Sequence, residues 1–183
     1  SMSQTTMDAD LRSIEQARDL AVGAREAMRS FQFASQQQVD KICEAMVAAA
    51  VREAERLGQL AHDETGFGYA AHKRLKNEFA AQGVWDSIKD VPTCGVLRRD
   101  EVNKVVEIGW PVGVIVALTP STNPTSTAIF KILIGVKARN AVIVAPHPSA
   151  KNCTAEAVRV MAGAAEAAGL PKGMISCLTE LTI

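Results

Sequence analysis

This sequence of 183 residues has few aromatic side chains and no excess of charge of either sign. It also lacks long apolar runs and closely spaced cysteine pairs. No apolar stretch approaches the roughly 18 residues that a transmembrane helix needs. The polar N-terminus has no signal-peptide core, so we expect neither membrane insertion nor export. Cys43, Cys94, Cys153 and Cys177 form no Cys-x-x-Cys pair, and we therefore predict no metal site. We predict a location in the cytoplasm, where thiols stay reduced.

The balance of charges limits the binding partners that can be expected, and the low aromatic content limits the kind of hydrophobic core. Twenty basic and twenty acidic residues cancel, and no basic block stands out. Binding to nucleic acid or to an acidic membrane surface therefore has no electrostatic support. Phe, Trp and Tyr number only five, two and one, whereas 48% of the residues are hydrophobic. The core must be mostly aliphatic, which suits helices packed on a parallel sheet.

Helical periodicity dominates the first half of the chain. An amphipathic helix is predicted over residues 8–30. A longer helix begins after Ser35, where Gln38 can complete a capping box. It should end near Gly66, because glycine tolerates the left-handed conformation that closes a helix.

A third helix and a hairpin follow. The helix is predicted over His72–Trp85, and a solvated face is expected for Lys73, Arg74 and Lys76. Partial alternation predicts two strands, Thr93–Val96 and Val102–Ile108, around a charged turn at Arg98–Glu101.

From Val112 onward the pattern becomes strand, helix, strand, helix, strand. Buried strands are predicted at Val112–Leu118 and Ala141–Ala145, with a helix between them. A further helix over Cys153–Ala168 leads to a third parallel strand at Met174–Leu178. Three strands make a small sheet, so we expect its edges and faces to expose apolar surface unless another element covers them.

The predicted fold class is α/β. A helical N-terminal arm and a β-hairpin lead into an incomplete doubly wound, Rossmann-like parallel sheet. We divide the chain into a helical segment of the cofactor-binding domain (1–90), a hairpin that is a candidate oligomerisation element (91–110) and the first half of a Rossmann-like domain (111–183).

Two unusual loops follow the first two parallel strands, where ligands bind in such sheets. In the loop Thr119–Thr125, Thr122 or Asn123 is a good helix N-cap, and Pro124 suits the first helical turn. An equally concrete interpretation is a ligand site, in which the Asn123 amide donates to a carbonyl oxygen that becomes an oxyanion. The loop Pro146–Pro148 is either a turn or a wall of a cofactor site.

Two single residues in this region could carry chemistry. His147 has no evident carboxylate or cysteine partner in the sequence, so a general-base role is not predicted. Cys153 stands near a helix N-terminus, where the helix dipole lowers a thiol pKa, and is the best candidate nucleophile by position. A small apolar filler is the favoured interpretation for Cys153. No GxGxxG or Walker loop occurs.

Several segments resemble the N-terminal part of CoA-acylating aldehyde dehydrogenases. HDETGFG, KRLKN, PVGVIVALTPSTNPTSTAIFK, KARNAVIVAPHPSAK and AAGLP follow in the order seen in that family. The combination of TPSTNPTSTAIFK with PHP is specific to the acylating branch, whereas other members carry a PWNFP-type loop. The resemblance covers the chain from about Asp8 to Leu181.

The resemblance implies an activity and a set of site residues. The family oxidises an aldehyde with NAD through a cysteine thiohemiacetal and thioester, and coenzyme A then takes the acyl group. Asn123 matches the amide donor to the substrate oxygen, and the one-residue difference from PWNFP leaves Thr122 as a competing alignment. The residues expected to border the cofactor are Leu118, Thr119, Pro120, Ser121, Thr122, Ala145, Pro146, His147 and Pro148.

The chain also departs from the family. Family members are more than twice as long, and no cysteine here matches the catalytic one, which lies in a later domain. We therefore expect a truncated chain without the catalytic domain, inactive by itself, or a non-catalytic module for binding or assembly. A fragment of a non-acylating aldehyde dehydrogenase is a third interpretation. Family members form homo-oligomers, and some work inside bacterial microcompartments, which makes the microcompartment lumen the alternative location.

Overall fold

The computed structural model describes residues 4–181. Its helices are α1 (Gln4–Phe31), α2 (Gln36–Thr65), α3 (Ala70–Glu78), α4 (Val84–Ile88), α5 (Pro124–Lys137) and α6 (Lys151–Ala167). Its strands are β1 (Gly95–Asp100), β2 (Val105–Gly109), β3 (Val114–Leu118), β4 (Ala141–Ala145) and β5 (Ile175–Cys177). Among these described elements, no helix is both long enough and apolar enough to span a bilayer.

Local capping chemistry sets both ends of α2, as predicted. The Ser35 hydroxyl accepts from the Gln38 amide at 3.2 Å, and the Gln38 side chain accepts from the Ser35 amide at 2.8 Å. At the other end Gly66 has φ 71° and donates its N–H to His62 O at 2.8 Å. The reciprocal cap satisfies two amides that a helix start otherwise leaves unpaired.

The third predicted helix is interrupted. Between α3 and α4 the chain makes a π-helical stretch, Phe79–Gly83, and the helical run continues to Ile88, beyond the predicted end. A π-turn holds an extra residue, so it rotates the following helix relative to the preceding one. Ala80, Ala81 and Trp85 are buried, whereas the Phe79 side chain is 71% exposed.

The predicted position of the hairpin turn is wrong. The antiparallel pairing of β1 with β2 runs through Asp100 opposite Val105, so the turn is 101–104 and Arg98 lies within a strand. Asp100 stabilises the turn, because its carboxylate accepts from the Val102 and Asn103 amides at 3.1 and 2.9 Å. The bonds from the Asn103 backbone and side chain, and then the bond from Val102, lower the pKa of Asp100. Both faces of the hairpin are largely exposed, so burial imposes no clean alternation from which the register could be found.

The sheet confirms the predicted α/β class. β3, β4 and β5 are parallel, in the order β3-β4-β5, with Val114 opposite Ala141 and Val142 opposite Ile175. One cluster of buried side chains joins this sheet to the helices, and its largest members include Ile42, Met46, Ile132, Leu133 and Met161. The architecture is that of an incomplete Rossmann-like fold.

β3 forms an open edge of the sheet. Its Val116 and Leu118 side chains are 58% and 69% exposed, and Val112 just before it is 86% exposed. The expected apolar exposure is therefore present along this strand. The prediction of a buried strand at Val112–Leu118 is wrong, because among the described strands β3 pairs only with β4. Unpaired strand edges with apolar side chains favour association with another element.

Close packing of α2 on α3 depends on Gly58. A Cβ atom there would lie 2.8 Å from the Arg74 amide nitrogen and 3.2 Å from the Ala70 carbonyl oxygen, both backbone atoms. A side chain at residue 58 would therefore push α3 away from α2.

We expect Gly58→Ala to lower the free energy of unfolding by about 1 kcal/mol. Overpacking costs about 1–3 kcal/mol, which exceeds the gain of about 1 kcal/mol from exchanging glycine for alanine within a helix. Gly163→Ala is the matched control, because Gly163 is exposed in α6 with no atom within 4 Å of the added Cβ. It should raise stability by about 0.5–1 kcal/mol. Urea unfolding of both variants gives the comparison, and equal stabilisation would contradict the close contact.

Candidate active site

The two unusual loops meet at one edge of the sheet. Leu118 and Ala145 are the last paired residues of β3 and β4, and the Thr119 amide donates to Ala145 O at 3.1 Å. Thr119–Asn123 and Ala145–Pro148 therefore leave the sheet side by side, at the carboxyl ends of adjacent parallel strands. This is the place where open α/β sheets bind their ligands.

Asn123 occupies the N-cap position of α5 but does not cap it with its side chain. Its Oδ1 atom instead accepts from Lys76 Nζ at 2.9 Å. Pro124 starts the helix as predicted, and the Asn123 carbonyl accepts from the Thr127 amide at 3.2 Å. The prediction of Asn123 at the N-cap position is confirmed, whereas its side chain contacts Lys76 and makes no capping hydrogen bond.

The other loop residues named from sequence differ in exposure. Thr119 is buried, and its hydroxyl oxygen has no hydrogen-bond partner among the described residues. Leu118, Pro120 and Thr122 are exposed, and Ser121 is half-buried. The loop thus presents exposed groups at its rim and one unsatisfied buried hydroxyl at its base. A buried polar atom without a protein partner can be satisfied by water or by a ligand.

One face of α3 holds this loop through hydrogen bonds. Lys73 Nζ donates to Thr122 O at 2.8 Å, and Thr125 Oγ1 donates to Asn77 Oδ1 at 2.8 Å. The prediction of a solvated face is wrong for Lys73, whose side chain is only 5% exposed. Burial lowers the Lys73 pKa, and the Lys76 charge lowers it further. The spacing of Lys73, Lys76 and Asn77, three and four residues apart, was the available signal.

An apolar groove of about 530 Å³ lies next to Lys76 and runs between α3 and α5. Leu75 and Phe79 are 60% and 71% exposed along it, and Phe130 lies on the opposite wall. A groove with such a lining suits an apolar ligand group. The π-helical stretch that presents Phe79 has no clear sequence signal.

The second loop is built around His147. Pro146 is buried and His147 is exposed. The His147 Nδ1 atom accepts from the Ser149 amide at 3.1 Å and lies 2.8 Å from Ser149 Oγ. These contacts close a 3-10 turn, Pro148–Ala150, before α6. The imidazole therefore has a local structural partner in Ser149, although the residue is exposed.

Cys153 lies at the start of α6, as predicted, but its surroundings suppress its reactivity. The Glu64 carboxylate accepts from the Asn152 and Cys153 amides at 3.1 and 2.8 Å. The thiol itself is buried and donates to Ala150 O at 3.4 Å. Burial first, and then Glu64, raises the Cys153 pKa to about 12. Burial also raises the pKa of Cys43 to about 12 and that of Cys177 to about 11.

These thiols should resist alkylation in the folded chain. At pH 8 a pKa of about 12 leaves about one thiolate in ten thousand, and only the thiolate reacts. We expect iodoacetamide to modify Cys43, Cys153 and Cys177 at least about 100-fold more slowly than free cysteine. Peptide mass spectrometry after timed labelling measures the rates, and labelling in denaturant, where all of them should react, is the control. Fast modification of Cys153 would restore it as a nucleophile.

Comparison with known proteins places this site in a family. The sequence model of the aldehyde dehydrogenase family matches residues 2–182 of this chain. The chain is 42% identical over 159 residues to the bifunctional aldehyde-alcohol dehydrogenase AdhE of Escherichia coli (strain K12), which covers 87% of this chain and 18% of that protein.

Two solved structures show the same fold. An acetylating aldehyde dehydrogenase from Geobacillus thermoglucosidasius has a TM-score of 0.93 and 55% identity, over 95% of this chain and 38% of that one. A propionaldehyde dehydrogenase from the Clostridium phytofermentans fucose utilisation bacterial microcompartment has a TM-score of 0.70 and 30% identity, over 86% of this chain and 36% of that one. The chain spans well under half the length of these relatives. It belongs to the aldehyde dehydrogenase family.

Proposed function

We propose that this chain forms one wall of the active site of an NAD-dependent, CoA-acylating aldehyde dehydrogenase. The reaction converts an aldehyde, coenzyme A and NAD into an acyl-CoA and NADH. The observation that carries the proposal is the convergence of Thr119–Asn123 and Ala145–Pro148 at one sheet edge. The 55% identity to an acetylating aldehyde dehydrogenase over 95% of this chain supports the same reaction.

The described residues fit a nicotinamide cofactor at this edge. Bound NAD would supply the hydride acceptor. Leu118 and Pro120 offer exposed apolar surface to a flat ring, and Thr119 has a buried hydroxyl without a partner. Ala145–Pro148 would border the adenosine of NAD or of coenzyme A. These assignments follow the rule that ligands of parallel sheets bind beyond the strand ends.

Asn123 is the proposed electrophilic group of this chain. A cysteine thiolate from outside residues 1–183 adds to the aldehyde carbon, and the carbonyl oxygen gains negative charge. The Asn123 NH2 group would donate to that oxygen in the thiohemiacetal. Loss of a hydride, which bound NAD would accept, and of the hydroxyl proton would leave a thioester. Coenzyme A would then take the acyl group and release the cysteine thiol. Donors fixed before the reaction stabilise such an oxyanion more strongly than water does.

The experiment compares two purified proteins: residues 1–183 and the complete enzyme, meaning the polypeptide that contains these residues together with the catalytic cysteine. Both are incubated with a labelled small aldehyde, NAD and coenzyme A. We expect NADH and labelled CoA thioester from the complete enzyme only. NADH with labelled free acid would favour a non-acylating aldehyde dehydrogenase instead. Turnover by residues 1–183 alone would contradict the assignment of the nucleophile to another domain.

A second role, in assembly, is favoured by exposed apolar surface away from the loops. Val96, Val105 and Ile108 on the hairpin are 50%, 47% and 61% exposed. We propose that the hairpin and the β3 edge contribute to homo-oligomer contacts of a cytoplasmic enzyme, with a microcompartment lumen as the alternative location. Size-exclusion chromatography with light scattering tests the first part. A stable, dispersed monomer of the complete enzyme would count against it.

A further inference from the structure

We infer that Lys76 is a positioning residue of the proposed active site, because its ammonium group fixes which side of the Asn123 amide faces the substrate. The inference rests on the proposed function and adds a residue of α3 to it. It starts from the 2.9 Å contact between Lys76 Nζ and Asn123 Oδ1.

The chemistry of the pair determines the orientation of the amide. A lysine ammonium group has three donors and no acceptor, so only the oxygen of an amide can face it. The amide plane carries its NH2 group on the other side of the carbonyl carbon. Within residues 4–181 the Asn123 oxygen accepts from Lys76 and accepts no capping hydrogen bond from the first amides of α5. The NH2 group therefore remains available to the oxygen of a ligand.

The same helix face fixes the backbone on both sides of Asn123. Lys73 holds the Thr122 carbonyl on one side, and Asn77 accepts from the Thr125 hydroxyl on the other. Three side chains from successive turns of α3 thus contact the segment Thr122–Thr125. With the backbone held at both ends, rotation of the Asn123 side chain is the remaining freedom, and Lys76 restrains it.

Position and charge together make Lys76 suited to this role. Its side chain is exposed and lies between the apolar groove and the loop. A charge-assisted hydrogen bond is shorter and stronger than a neutral one. A cation on the amide oxygen also polarises the amide, which makes its NH2 group a better donor to a developing negative charge.

The test measures steady-state kinetics in the complete enzyme. We expect Lys76→Met to lower kcat about tenfold, a part of the effect of removing an oxyanion donor outright. The KM for NAD should change less than about twofold, because the hydrogen bond of Lys76 goes to Asn123 and not to a residue proposed to border NAD. Lys76→Arg should restore most of the activity, since guanidinium also donates to an amide oxygen.

Arg74→Met is the matched control, because Arg74 pairs with Glu78 on the same helix but does not contact the loop. It should leave kcat unchanged.

A double-mutant cycle separates positioning from other effects of the charge. In an Asn123→Ala background, Lys76→Met should have less than about a twofold effect, because the group it orients is gone. The same tenfold loss in both backgrounds would overturn the inference, as would an unchanged kcat for Lys76→Met in an active enzyme. Absence of turnover in the unmodified complete enzyme would overturn the proposed function itself. Thermal melting of each variant checks that the exposed substitution leaves the fold intact.

Discussion

Replacing Asn123 by alanine in the complete enzyme should lower kcat for aldehyde oxidation about 100- to 1,000-fold, the range seen when one oxyanion donor is removed. The amide is not needed as a cap of α5, since the Asn123 side chain makes no capping bond. Loss of the side chain should therefore cost little stability. A large loss of kcat with a small change in the free energy of unfolding distinguishes a catalytic amide from a structural amide.

Thr122, the alternative candidate for the oxyanion donor, provides the control. Thr122 contacts Lys73 through its backbone carbonyl, so Thr122→Val keeps that contact while removing the hydroxyl. If Asn123 is the donor, Thr122→Val should change kcat less than about threefold, because it removes no group on which the proposed oxyanion depends. A large loss in Thr122→Val with a small loss in Asn123→Ala would exchange the two roles. Steady-state rates measured by NADH absorbance at saturating NAD and coenzyme A provide the kcat of both variants.

Replacing Asn77 by leucine should lower the free energy of unfolding of the chain by about 2–4 kcal/mol. Asn77 is fully buried, donates to Ala54 O at 3.0 Å and accepts from Thr125 Oγ1 at 2.8 Å. Leucine can do neither, and each buried polar group left without its partner costs about 1–3 kcal/mol. Urea unfolding followed by circular dichroism measures the difference.

A second substitution tests this explanation. Thr125 is also buried, so Thr125→Val removes the hydroxyl that Asn77→Leu would leave unpaired. The double variant should recover part of the lost stability, because replacing both partners of a hydrogen bond by apolar groups of similar shape is nearly neutral. If the two single effects simply add, the bond between Asn77 and Thr125 does not stabilise the fold as described.

Much of the architecture could be predicted because it depends on neighbours in sequence. Ser35, Gln38 and Gly66 set the ends of α2 through contacts spanning three or four residues. The apolar segments of β3, β4 and β5 mark parallel strands, of which β4 is buried along most of its length and β3 is exposed at the sheet edge. The hairpin turn was misplaced because an exposed two-stranded ribbon has no buried face to impose a period.

The candidate site could likewise be predicted only in part from the sequence. Both loops could be placed beyond the strand ends, since a parallel sheet brings successive carboxyl ends to one edge. The state of each side chain could not be predicted. Cys153 has the position of a reactive thiol, yet burial and Glu64, 89 residues earlier, raise its pKa to about 12. Burial of this kind depends on which helices meet in three dimensions.

The amino-acid sequence by itself determined the α/β class, the limits of α2 and the two loops that carry the proposed site, because each follows from local periodicity, capping or a motif. Only the tertiary structure decided the burial of Lys73 and the orientation of the Asn123 amide. Those depend on α3 packing close to α2 at Gly58 and reaching loop residues that lie 49 and 47 positions further along the chain. Contacts over such separations follow from how the helices pack, a global property that short-range sequence patterns do not specify.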